Sequence, residues 1–552
     1  MLSKGTNRQN KHLMRGNTMT KPNAIILAAG RSQAFAPFSY EKPKGLFEVN
    51  GKPLVERQIE QLHDAGIEDI HIVVGFMKEK FFYLQKKYGV DIIFNNGFDN
   101  NGNLVSLLLA KDYLESTYVC CADHYFQTNP FSTSHDMSCA YRACEYRTGE
   151  FSEFSATIGA DGLIDTINMG GSDSYCMVGE AYFSPDFSRA FIDYANAEID
   201  NFGVRRMFWE EFWLRHSSDL PLAAKIIDAD SFREFDSLEE IARFDKSFLD
   251  SIDSQIVENI TELLECKRSE IEDIEILNKG LSNVLFLFTV RGTRYVYRHP
   301  GGSSDNFANR ASEKLSEQHA KALGLDETCI YVDKDHGWKI SRFVSGAHDF
   351  TYKNKIECTQ ILQMLRKLHT STAKTPYEFD VLRESDKLMR LACNTKGDLF
   401  QQFKPLRNKM VRLYHFIESD EVPKVLCHND CYAPNFLVNG EVTYLIDWEF
   451  SAMGDPANDF GGIVSREHFE DEEVAWLLET YFGRRPTTFE RRHYYGFVAL
   501  TGYYFFCWSL FKDSIGEDSG HFMLNAYNNA EKYYESTIND YLNPGIDVTL
   551  SE

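Results

Sequence analysis

The sequence predicts an α/β protein built from two domains. Its 552 residues are too many for one hydrophobic core, and two domains of about 250 residues are the usual solution. In the N-terminal half, apolar strands alternate with helical patterns, as in a doubly wound, mostly parallel sheet. In the C-terminal half, strand patterns come first and long helical patterns follow. We therefore expect a disordered tail (1–22), a first domain (23–245), a helical linker (246–272) and a second domain (273–545).

The composition excludes several classes of protein. A hydrophobic content of 43% with 14% aromatic residues suffices for packed cores, so the chain as a whole is not disordered. A formal net charge of −24 argues against nucleic acid or an anionic membrane as partner. No apolar run reaches the roughly 18 residues of a membrane helix. The 12 cysteines lack zinc-site spacing and are expected to be buried thiols in a reducing compartment.

The first 20 residues are polar and basic. They lack the apolar segment of a secretory signal, so we expect them to belong to a disordered tail. Met19 lies just before the first predicted strand, which leaves translation from Met19 rather than Met1 as an open alternative. Finding peptides from residues 1–18 in the native protein would exclude that alternative.

Hydrophobic periodicity gives the elements of the first half in order. The patterns predict a strand at 23–30 that runs into a glycine turn, helices at 54–65, 78–88 and 104–114, and strands at 70–74, 92–95 and 118–121. Ligands of such sheets bind beyond the carboxyl ends of the strands. Gly30 and Asp123 both fall at such ends.

After Asp245 the pattern changes. Ile252, Ile256 and Ile260 lie at helical spacing, which predicts an amphipathic connecting helix. Further on, the patterns predict strands at 285–290 and 294–298 joined by a turn at Arg291-Gly292, a helix at 308–323, and long helices from residue 356 on.

The segment His428–Asn435, followed by Ile446–Glu449, carries the clearest chemistry. Phosphoryl transfer needs a carboxylate that takes the proton of the attacking hydroxyl, and oxygen ligands that hold Mg²⁺ across the phosphates. Asp430 is expected to be the base, and Asn435 and Asp447 the metal ligands. The alternative is an ordinary polar loop beside a hairpin.

A nucleotide site of this kind also needs a loop over the phosphates, a cation on the α- and β-phosphates, and an acid that holds the cation. Taken one at a time, such residues are more typical of a turn, a strand edge and a helix surface. Together with the loop at 428–449, they predict a two-lobed, protein-kinase-like α+β domain. The expected nucleotide-binding residues are Gly280, Ser282, Asn283, Arg298, Glu313 and Phe343, the last of them in the hinge over adenine.

These strings resemble the bacterial type of choline kinase, within the aminoglycoside-phosphotransferase-like superfamily. The resemblance spans about 273–540 and rests on residues 295–300, 428–435, 445–449 and 455–456. It implies that the hydroxyl of choline is phosphorylated with ATP and Mg²⁺. In Gly454–Asp459, Asp459 is expected to anchor the catalytic loop.

A quaternary ammonium cannot donate hydrogen bonds and is best held by aromatic faces and carboxylates. Phe505 and Trp508 lie one helical turn apart, with Tyr504 and Glu449 as further candidates. The resembled family has a Trp-x-x-Trp pair there, so Phe505 is a departure that leaves ethanolamine or another amino alcohol open. The alternative is that this aromatic cluster is plain core.

The first half has its own nucleotide motif. Ala28, Ala29 and Gly30 form a turn that could admit a triphosphate. Lys44 is expected on phosphate, and Asp123 and Asp236 are the candidate metal ligands.

This half resembles CTP:phosphocholine cytidylyltransferases of the sugar-nucleotide-pyrophosphorylase-like group, over about 23–245. The resemblance rests on residues 27–30, 41–46, 51–54, 74–76, 123 and 234–236. It implies a Rossmann-like nucleotidyltransferase that uses CTP and Mg²⁺. The implied residues for the substrate's ammonium group are Phe154, Trp209, Glu210 and Glu234.

The first half also departs from the resembled family. The family continues its turn as Gly-x-Gly-Ser-Arg, whereas this chain has Ser32 and Ala34, and Arg31 is the substitute expected on phosphate. His124 follows Asp123 where the family has Asn. CMP transfer by this half is still expected to be active, because Lys44, Asp123, Glu234 and Asp236 are all retained. The departures leave slow, altered or lost activity as alternatives.

Together the resemblances imply a cytoplasmic enzyme that converts choline to phosphocholine and then to CDP-choline, the donor for decorating bacterial surface polymers. One rival is a sugar-phosphate nucleotidyltransferase fused to a small-molecule kinase. Another is an active kinase with a degenerate, regulatory nucleotidyltransferase domain. The sequence leaves the oligomeric state and substrate channelling open.

Overall fold

The computed structural model describes residues 21–32, 35–99, 101–133, 139–278, 283–300, 308–440, 442–516 and 519–543. Residues 1–20, with Met1 and Met19, and the expected phosphate-loop residues Gly280 and Ser282 lie outside the described residues. The chain divides into two compact units, one ending at Ser269 and the other beginning at Glu270.

The first unit combines strands with short helices. Its described strands are β1 (Asn23–Ala28), β2 (Glu48–Val49), β3 (Lys52–Pro53), β4 (Ile70–Val74), β5 (Asp91–Phe94), β6 (Thr117–Cys121), β7 (Tyr125–Phe126), β8 (Tyr141–Ile158), β9 (Ile164–Phe183), β10 (Ala223–Ile226) and β11 (Phe232–Arg233). Its described helices are α1 (Leu54–Asp64), α2 (Phe82–Tyr88), α3 (Asn103–Leu109), α4 (Pro185–Glu198), α5 (Phe202–Arg205), α6 (Trp209–Leu214), α7 (Leu238–Phe244), α8 (Phe248–Ser251) and α9 (Gln255–Leu264).

The main sheet of this unit has the order β10-β8-β9-β6-β1-β4-β5. The β1 strand is parallel to β4 and β6, and β4 is parallel to β5, as a doubly wound sheet requires. The long β8–β9 hairpin, which the sequence patterns did not predict, joins the sheet antiparallel to β6. Leu27 of β1 pairs with Cys121 of β6, so Gly30 and Asp123 follow neighbouring strands at the same edge of the sheet.

The segment predicted as a helical linker packs on the first unit as far as Ser269. Ile256 and Ile260 of α9 are buried, in keeping with the amphipathic pattern. The carboxylate of Glu41 accepts hydrogen bonds from the Ser254 hydroxyl (2.5 Å) and the Ile256 amide (3.1 Å). Because these bonds satisfy a donor at the start of α9, they fix the helix to the loop that precedes Lys44.

The second unit has strands first and helices later, as predicted. Its described strands are β12 (Ile271–Asn278), β13 (Asn283–Val290), β14 (Thr293–Pro300), β15 (Cys329–Val332), β16 (Lys339–Arg342), β17 (His348–Asp349), β18 (Val425–Cys427), β19 (Phe436–Asn439), β20 (Val442–Leu445) and β21 (Ala452–Gly454). Its described helices are α10 (Arg310–Ala322), α11 (Lys355–His369), α12 (Val381–Lys396), α13 (Leu399–Gln402), α14 (Lys404–Glu418), α15 (Ala457–Arg466), α16 (Asp471–Phe482), α17 (Thr488–Ser514) and α18 (Gly520–Leu542).

An antiparallel sheet of order β12-β13-β14-β16-β15 forms one lobe of this unit. The predicted turn between β13 and β14 is confirmed: Val290 pairs with Thr293, and Arg291 and Gly292 have φ values of 50° and 74°. Positive φ at both central residues is the geometry that two-residue hairpins favour. In the other lobe, α17 lies in the core and is buried along most of its length. Among the described helices, none combines the length and the apolar character that crossing a bilayer requires.

Candidate functional sites

Lys44 and Asp123 meet at the carboxyl edge of the first unit's sheet. Only 5% of Lys44 is exposed, and its Nζ lies 2.9 Å from Oδ2 of Asp123. Burial acts to lower the pKa of Lys44, but the charge of Asp123 and the nearby acids outweigh burial, so the pKa is raised. Lys44 therefore stays positively charged at the place where the sequence predicts a triphosphate.

Further acids surround this pair. Burial and the charge of Asp123 raise the pKa of Glu234 to about 7. Burial and then the charge of Glu153 raise the pKa of Asp236. Carboxylates that repel one another in this way are stabilised by a divalent cation, and oxygen ligands are the set that Mg²⁺ prefers. The donor set thus fits Mg²⁺, with Asp123 and Asp236 as the residues that would hold it.

The loop after β6 is held by Gln58 and is uncharged apart from Asp123. The side-chain amide of Gln58 donates to the backbone oxygens of Cys121 (2.9 Å) and His124 (3.0 Å). Burial lowers the pKa of His124 to about 3, so the imidazole is neutral. His124, which stands where the resembled family has Asn, therefore adds no charge beside Asp123.

The chain leaves β1 at Ala29, before the expected glycine turn, and Arg31 has a protein partner. Ala29 is buried and Gly30 is exposed. Nη2 of Arg31 lies 2.9 Å from Oδ2 of Asp99, and its guanidinium carbon is 5.2 Å from the centroid of the Phe76 ring. Arg31 would have to exchange Asp99 for phosphate in order to act as the sequence analysis expects.

Trp209 and Glu210, which were expected to bind the ammonium group, are both buried. Trp209 is 3% exposed and packs edge to face on Phe183, with centroids 5.1 Å apart. Burial raises the pKa of Glu210, and its Oε1 lies 3.7 Å from Nη2 of Arg142. The sequence analysis missed Arg142, which is buried. Its guanidinium group is the positive charge beside Glu210, where the ammonium group of a substrate was expected.

Phe154 is the expected aromatic residue that remains accessible. It is half-buried in β8 and contacts Phe208 edge to face at a centroid distance of 6.2 Å. Phe208 is 45% exposed, and Glu153 beside Phe154 is paired with Arg147. Phe154 and Phe208 together offer the accessible aromatic surface next to the acids of this site.

Gly45 lets the loop of Lys44 approach β6. A Cβ atom on residue 45 would lie 2.7 Å from the Cβ atom of Ala122, which is closer than two carbon atoms can pack. We expect Gly45→Ala to move Lys44 away from Asp123 and to lower CMP transfer about tenfold or more, since an ångström-scale misplacement of a catalytic group has such effects. The measurement is pyrophosphate release from CTP and phosphocholine; ATP-dependent phosphorylation by the same variant is the internal control. Unchanged CMP transfer would contradict the tight contact.

In the second unit, Asp459 anchors the loop that precedes Asp430, as expected. Its carboxylate accepts hydrogen bonds from the backbone amides of His428 (2.8 Å) and Asn429 (2.6 Å). Nε2 of His369 lies 2.9 Å from Oδ2 of Asp459. These contacts fix the backbone immediately before Asp430.

Asp430, Asn435 and Asp447 come together around this loop. The Asn435 side chain donates to Oδ2 of Asp430 at 3.0 Å. Burial and the charge of Glu449 raise the pKa of half-buried Asp447 to about 8. The cations of the chain near Asp447 therefore do not fully stabilise its ionised form. A carboxylate and an amide oxygen of this kind fit Mg²⁺, and Asn435 and Asp447 are the residues that would hold it.

Arg298 forms the expected ion pair with Glu313. The guanidinium donates to both carboxylate oxygens at 2.6 and 2.9 Å and lies 3.6 Å from Asp447. Burial acts to raise the pKa of Glu313, but the charge of Arg298 outweighs it and lowers the pKa to about 2. Arg298 is therefore a fixed cation, held by Glu313, beside Asp447, which is expected to bind the metal.

Glu449 lies beside Asn283 and Arg298, two of the residues expected to bind the nucleotide. Its Oε2 accepts hydrogen bonds from the Asn283 side chain (3.2 Å) and from Arg310 (3.0 Å). Arg310, a residue that the sequence analysis missed, also donates to Glu313. Glu449, which was expected to bind the substrate's ammonium group, is therefore linked to the Arg298–Glu313 ion pair.

A cavity of about 870 Å³ joins these residues to the aromatic cluster. Phe343, the expected hinge residue, lines it and carries the Arg294 guanidinium 4.6 Å from its ring centroid. Tyr504, Phe505 and Trp508 line the same cavity, and Tyr504 and Phe505 are also buried members of the hydrophobic core of this unit. Arg466 also lines it and pairs with Asp430; the sequence analysis missed this residue.

Comparisons with known proteins match the two halves of the chain to different families. Residues 24–133 match the MobA-like NTP transferase domain, and residues 273–495 match the Phosphotransferase enzyme family. The chain is 34% identical over 43% of its length to the 2-aminoethylphosphonate cytidylyltransferase of Lancefieldella rimae, covering 97% of that protein. It is 30% identical over 40% of its length to the choline-phosphate cytidylyltransferase of Streptococcus pneumoniae, covering 96% of it.

The first unit belongs to the cytidylyltransferase family. The second unit contains the segment, residues 273–495, that matches the Phosphotransferase enzyme family. The chain is also similar to the crystal structure of the choline kinase LicA from Streptococcus pneumoniae, with 26% sequence identity and a TM-score of 0.44. The match covers 51% of this chain and 98% of the LicA chain.

Proposed function

We propose that the chain is a bifunctional enzyme which phosphorylates a small amino alcohol with ATP and then transfers CMP from CTP to the phosphorylated product. The observation that carries the proposal is the presence, in one chain, of two separate clusters of acids, each with a buried cation suited to phosphate: Lys44 with Asp123, and Arg298 with Asp447. Both nucleotides are cytosolic metabolites, so we place the reactions in the cytoplasm.

Choline is the acceptor that the resemblance implies. Its products would be phosphocholine and then CDP-choline, an activated donor for decorating cell-surface polymers. The similarity to a choline-phosphate cytidylyltransferase supports this choice.

In the kinase step, the hydroxyl oxygen of the acceptor attacks the γ-phosphorus of ATP. Asp430 takes the hydroxyl proton, a bond forms from the acceptor oxygen to phosphorus, and ADP leaves. Asn435 orients Asp430, and Arg298 binds the α- and β-phosphates. Mg²⁺, held by Asn435 and Asp447, would neutralise charge on the β- and γ-phosphates.

In the second step, a phosphate oxygen of the phosphorylated acceptor attacks the α-phosphorus of CTP, and pyrophosphate leaves. The ammonium group of Lys44 neutralises charge on the triphosphate, which the turn at Ala28–Gly30 admits. Mg²⁺, held by Asp123 and Asp236, would supply the remaining positive charge. In this proposal, Phe154 and Glu234 contact the acceptor's ammonium group.

Ethanolamine is the second candidate acceptor. Phe154 and Phe505 replace tryptophan, the strongest cation–π partner, at both expected ammonium sites. The relative with 34% identity is named for a phosphonate with a primary amine. Both observations favour an ammonium group that can donate hydrogen bonds.

The direct test supplies ATP and CTP to the full chain with choline or ethanolamine and detects the CDP-linked product by mass spectrometry. We expect the CDP derivative of at least one of these alcohols. Product formation with UTP or dTTP and a sugar phosphate, but not with CTP and either phosphorylated alcohol, would favour the sugar-phosphate rival. Phosphorylation without pyrophosphate release would favour a regulatory first domain.

A further inference from the structure

Arg466, the last residue of α15, occupies the acceptor side of the kinase cavity. Its guanidinium carbon lies 3.8 Å from the ring centroid of Phe505 and 4.9 Å from that of Tyr432. Its Nη2 pairs with Oδ1 of Asp430, the expected base. The side chain is 10% exposed, and its buried Nε finds no hydrogen-bond partner within the described residues.

The guanidinium covers the aromatic face that a substrate would use. Phe505 is only 4% exposed, although it lines the cavity. At Trp508, the Nζ atom of Lys512 lies 5.1 Å from the ring centroid. Cations of the chain itself thus already lie over the rings that were expected to hold the ammonium group.

This arrangement affects two possible acceptors differently. A trimethylammonium group has no N–H bond and needs open aromatic faces, whereas a primary ammonium group has three hydrogen-bond donors and is smaller. Repulsion by Arg466 acts on both alike because both carry one positive charge. Oxygen acceptors for a primary ammonium group line the same cavity, namely those of Asp430, Tyr504 and Ser519.

We propose that Arg466 is a specificity-determining residue of the kinase half: it covers the face of Phe505 that a trimethylammonium group needs and makes a primary amino alcohol the preferred acceptor. This inference rests on the proposed function, and it names the residue that chooses between the two candidate acceptors. Arg466 also contacts Asp430, so its removal changes turnover with every acceptor. The ratio between acceptors, rather than turnover itself, reports specificity.

The test uses the full chain with saturating ATP and four acceptors: ethanolamine, its N-methyl and N,N-dimethyl derivatives, and choline. We expect kcat/KM of the wild type to fall with each methyl group, by about tenfold or more in total, which corresponds to the loss of one good cation–π contact. Arg466→Gln is expected to raise the ratio of kcat/KM for choline to that for ethanolamine by about tenfold. Arg466→Lys keeps the charge without the planar guanidinium. Its choline-to-ethanolamine ratio of kcat/KM should lie between the ratios of the wild type and Arg466→Gln.

Arg485, an exposed residue of the same unit, gives a matched control. Arg485→Gln should leave the ratio unchanged. If turnover is too low to measure, calorimetric titration of choline and ethanolamine into the wild type and Arg466→Gln gives the preference between the two acceptors as a ratio of dissociation constants. The melting temperature of Arg466→Gln shows whether the variant is folded.

Two results would overturn the inference while leaving the proposed function intact. One is a wild type that prefers choline, which would mean that the acceptor displaces Arg466. The other is a folded Arg466→Gln variant with the wild-type ratio, which would reduce Arg466 to a positioning residue for Asp430. A wild type that phosphorylates none of the four acceptors would instead overturn the proposed function, and the inference with it.

Discussion

Asp447→Asn is expected to lower ATP-dependent phosphorylation of the acceptor alcohol by roughly a thousandfold, because a metal ligand contributes several kcal/mol to charge stabilisation in the transition state. Asp447 has a φ of 67°, in the left-handed region that Asp and Asn adopt more readily than other residues. Asparagine therefore keeps the backbone and the shape while removing the charge. The measurement is ADP formation that depends on choline or ethanolamine.

The control for this variant is a carboxylate on the same unit, away from the cavity. Asp335 is exposed and pairs with Lys334, so Asp335→Asn should phosphorylate at the wild-type rate. CMP transfer by Asp447→Asn, measured with phosphorylated acceptor and CTP, should also be normal. Near-normal phosphorylation by a folded Asp447→Asn variant would contradict the role given to Asp447.

Asp123→Asn is expected to reduce CMP transfer by a similar factor, roughly a thousandfold. The substitution removes a proposed metal ligand and also the ion-pair partner of buried Lys44. A buried cation without its partner is destabilising, so the melting temperature of the first unit should fall as well. Pyrophosphate release from CTP and the phosphorylated acceptor is the readout.

Asp186 provides the comparison for this second variant. It lies on α4 and pairs with Arg189 three residues further on, and both side chains are largely exposed. Asp186→Asn should therefore retain both activities, and Asp123→Asn should retain ATP-dependent phosphorylation. If folded Asp123→Asn still releases pyrophosphate at the wild-type rate, the first unit uses different residues from those proposed.

Local patterns predicted the elements that place both sites. The apolar runs of β1, β4 and β6 and the helical periods between them specify a parallel core, because each strand is buried on both faces. The proximity of Asp430, Asn435 and Asp447 was predictable for a different reason: they lie within 18 residues of one another in sequence, so one short segment carries most of the geometry.

What the sequence did not reveal depends on contacts between distant segments. Arg142 reaches Glu210, and Arg466 reaches Phe505, across 68 and 39 positions respectively, and no local period signals such pairs. The β8–β9 hairpin was missed because much of its length is polar on both faces and lacks strict alternation. Trp209 was expected in the ammonium site, but its burial against Phe183 is a property of the folded core.

The most direct test of two independent nucleotide sites on one chain is complementation between the two variants. Asp447→Asn and Asp123→Asn are each incubated with the acceptor alcohol, ATP and CTP, first alone and then mixed, and the CDP-linked product is measured by mass spectrometry. The account predicts little product from either variant alone and product near the wild-type amount from the mixture, because the phosphorylated acceptor made by one variant is consumed by the other. Absence of product from the mixture, with both variants folded and the wild type active, would contradict it.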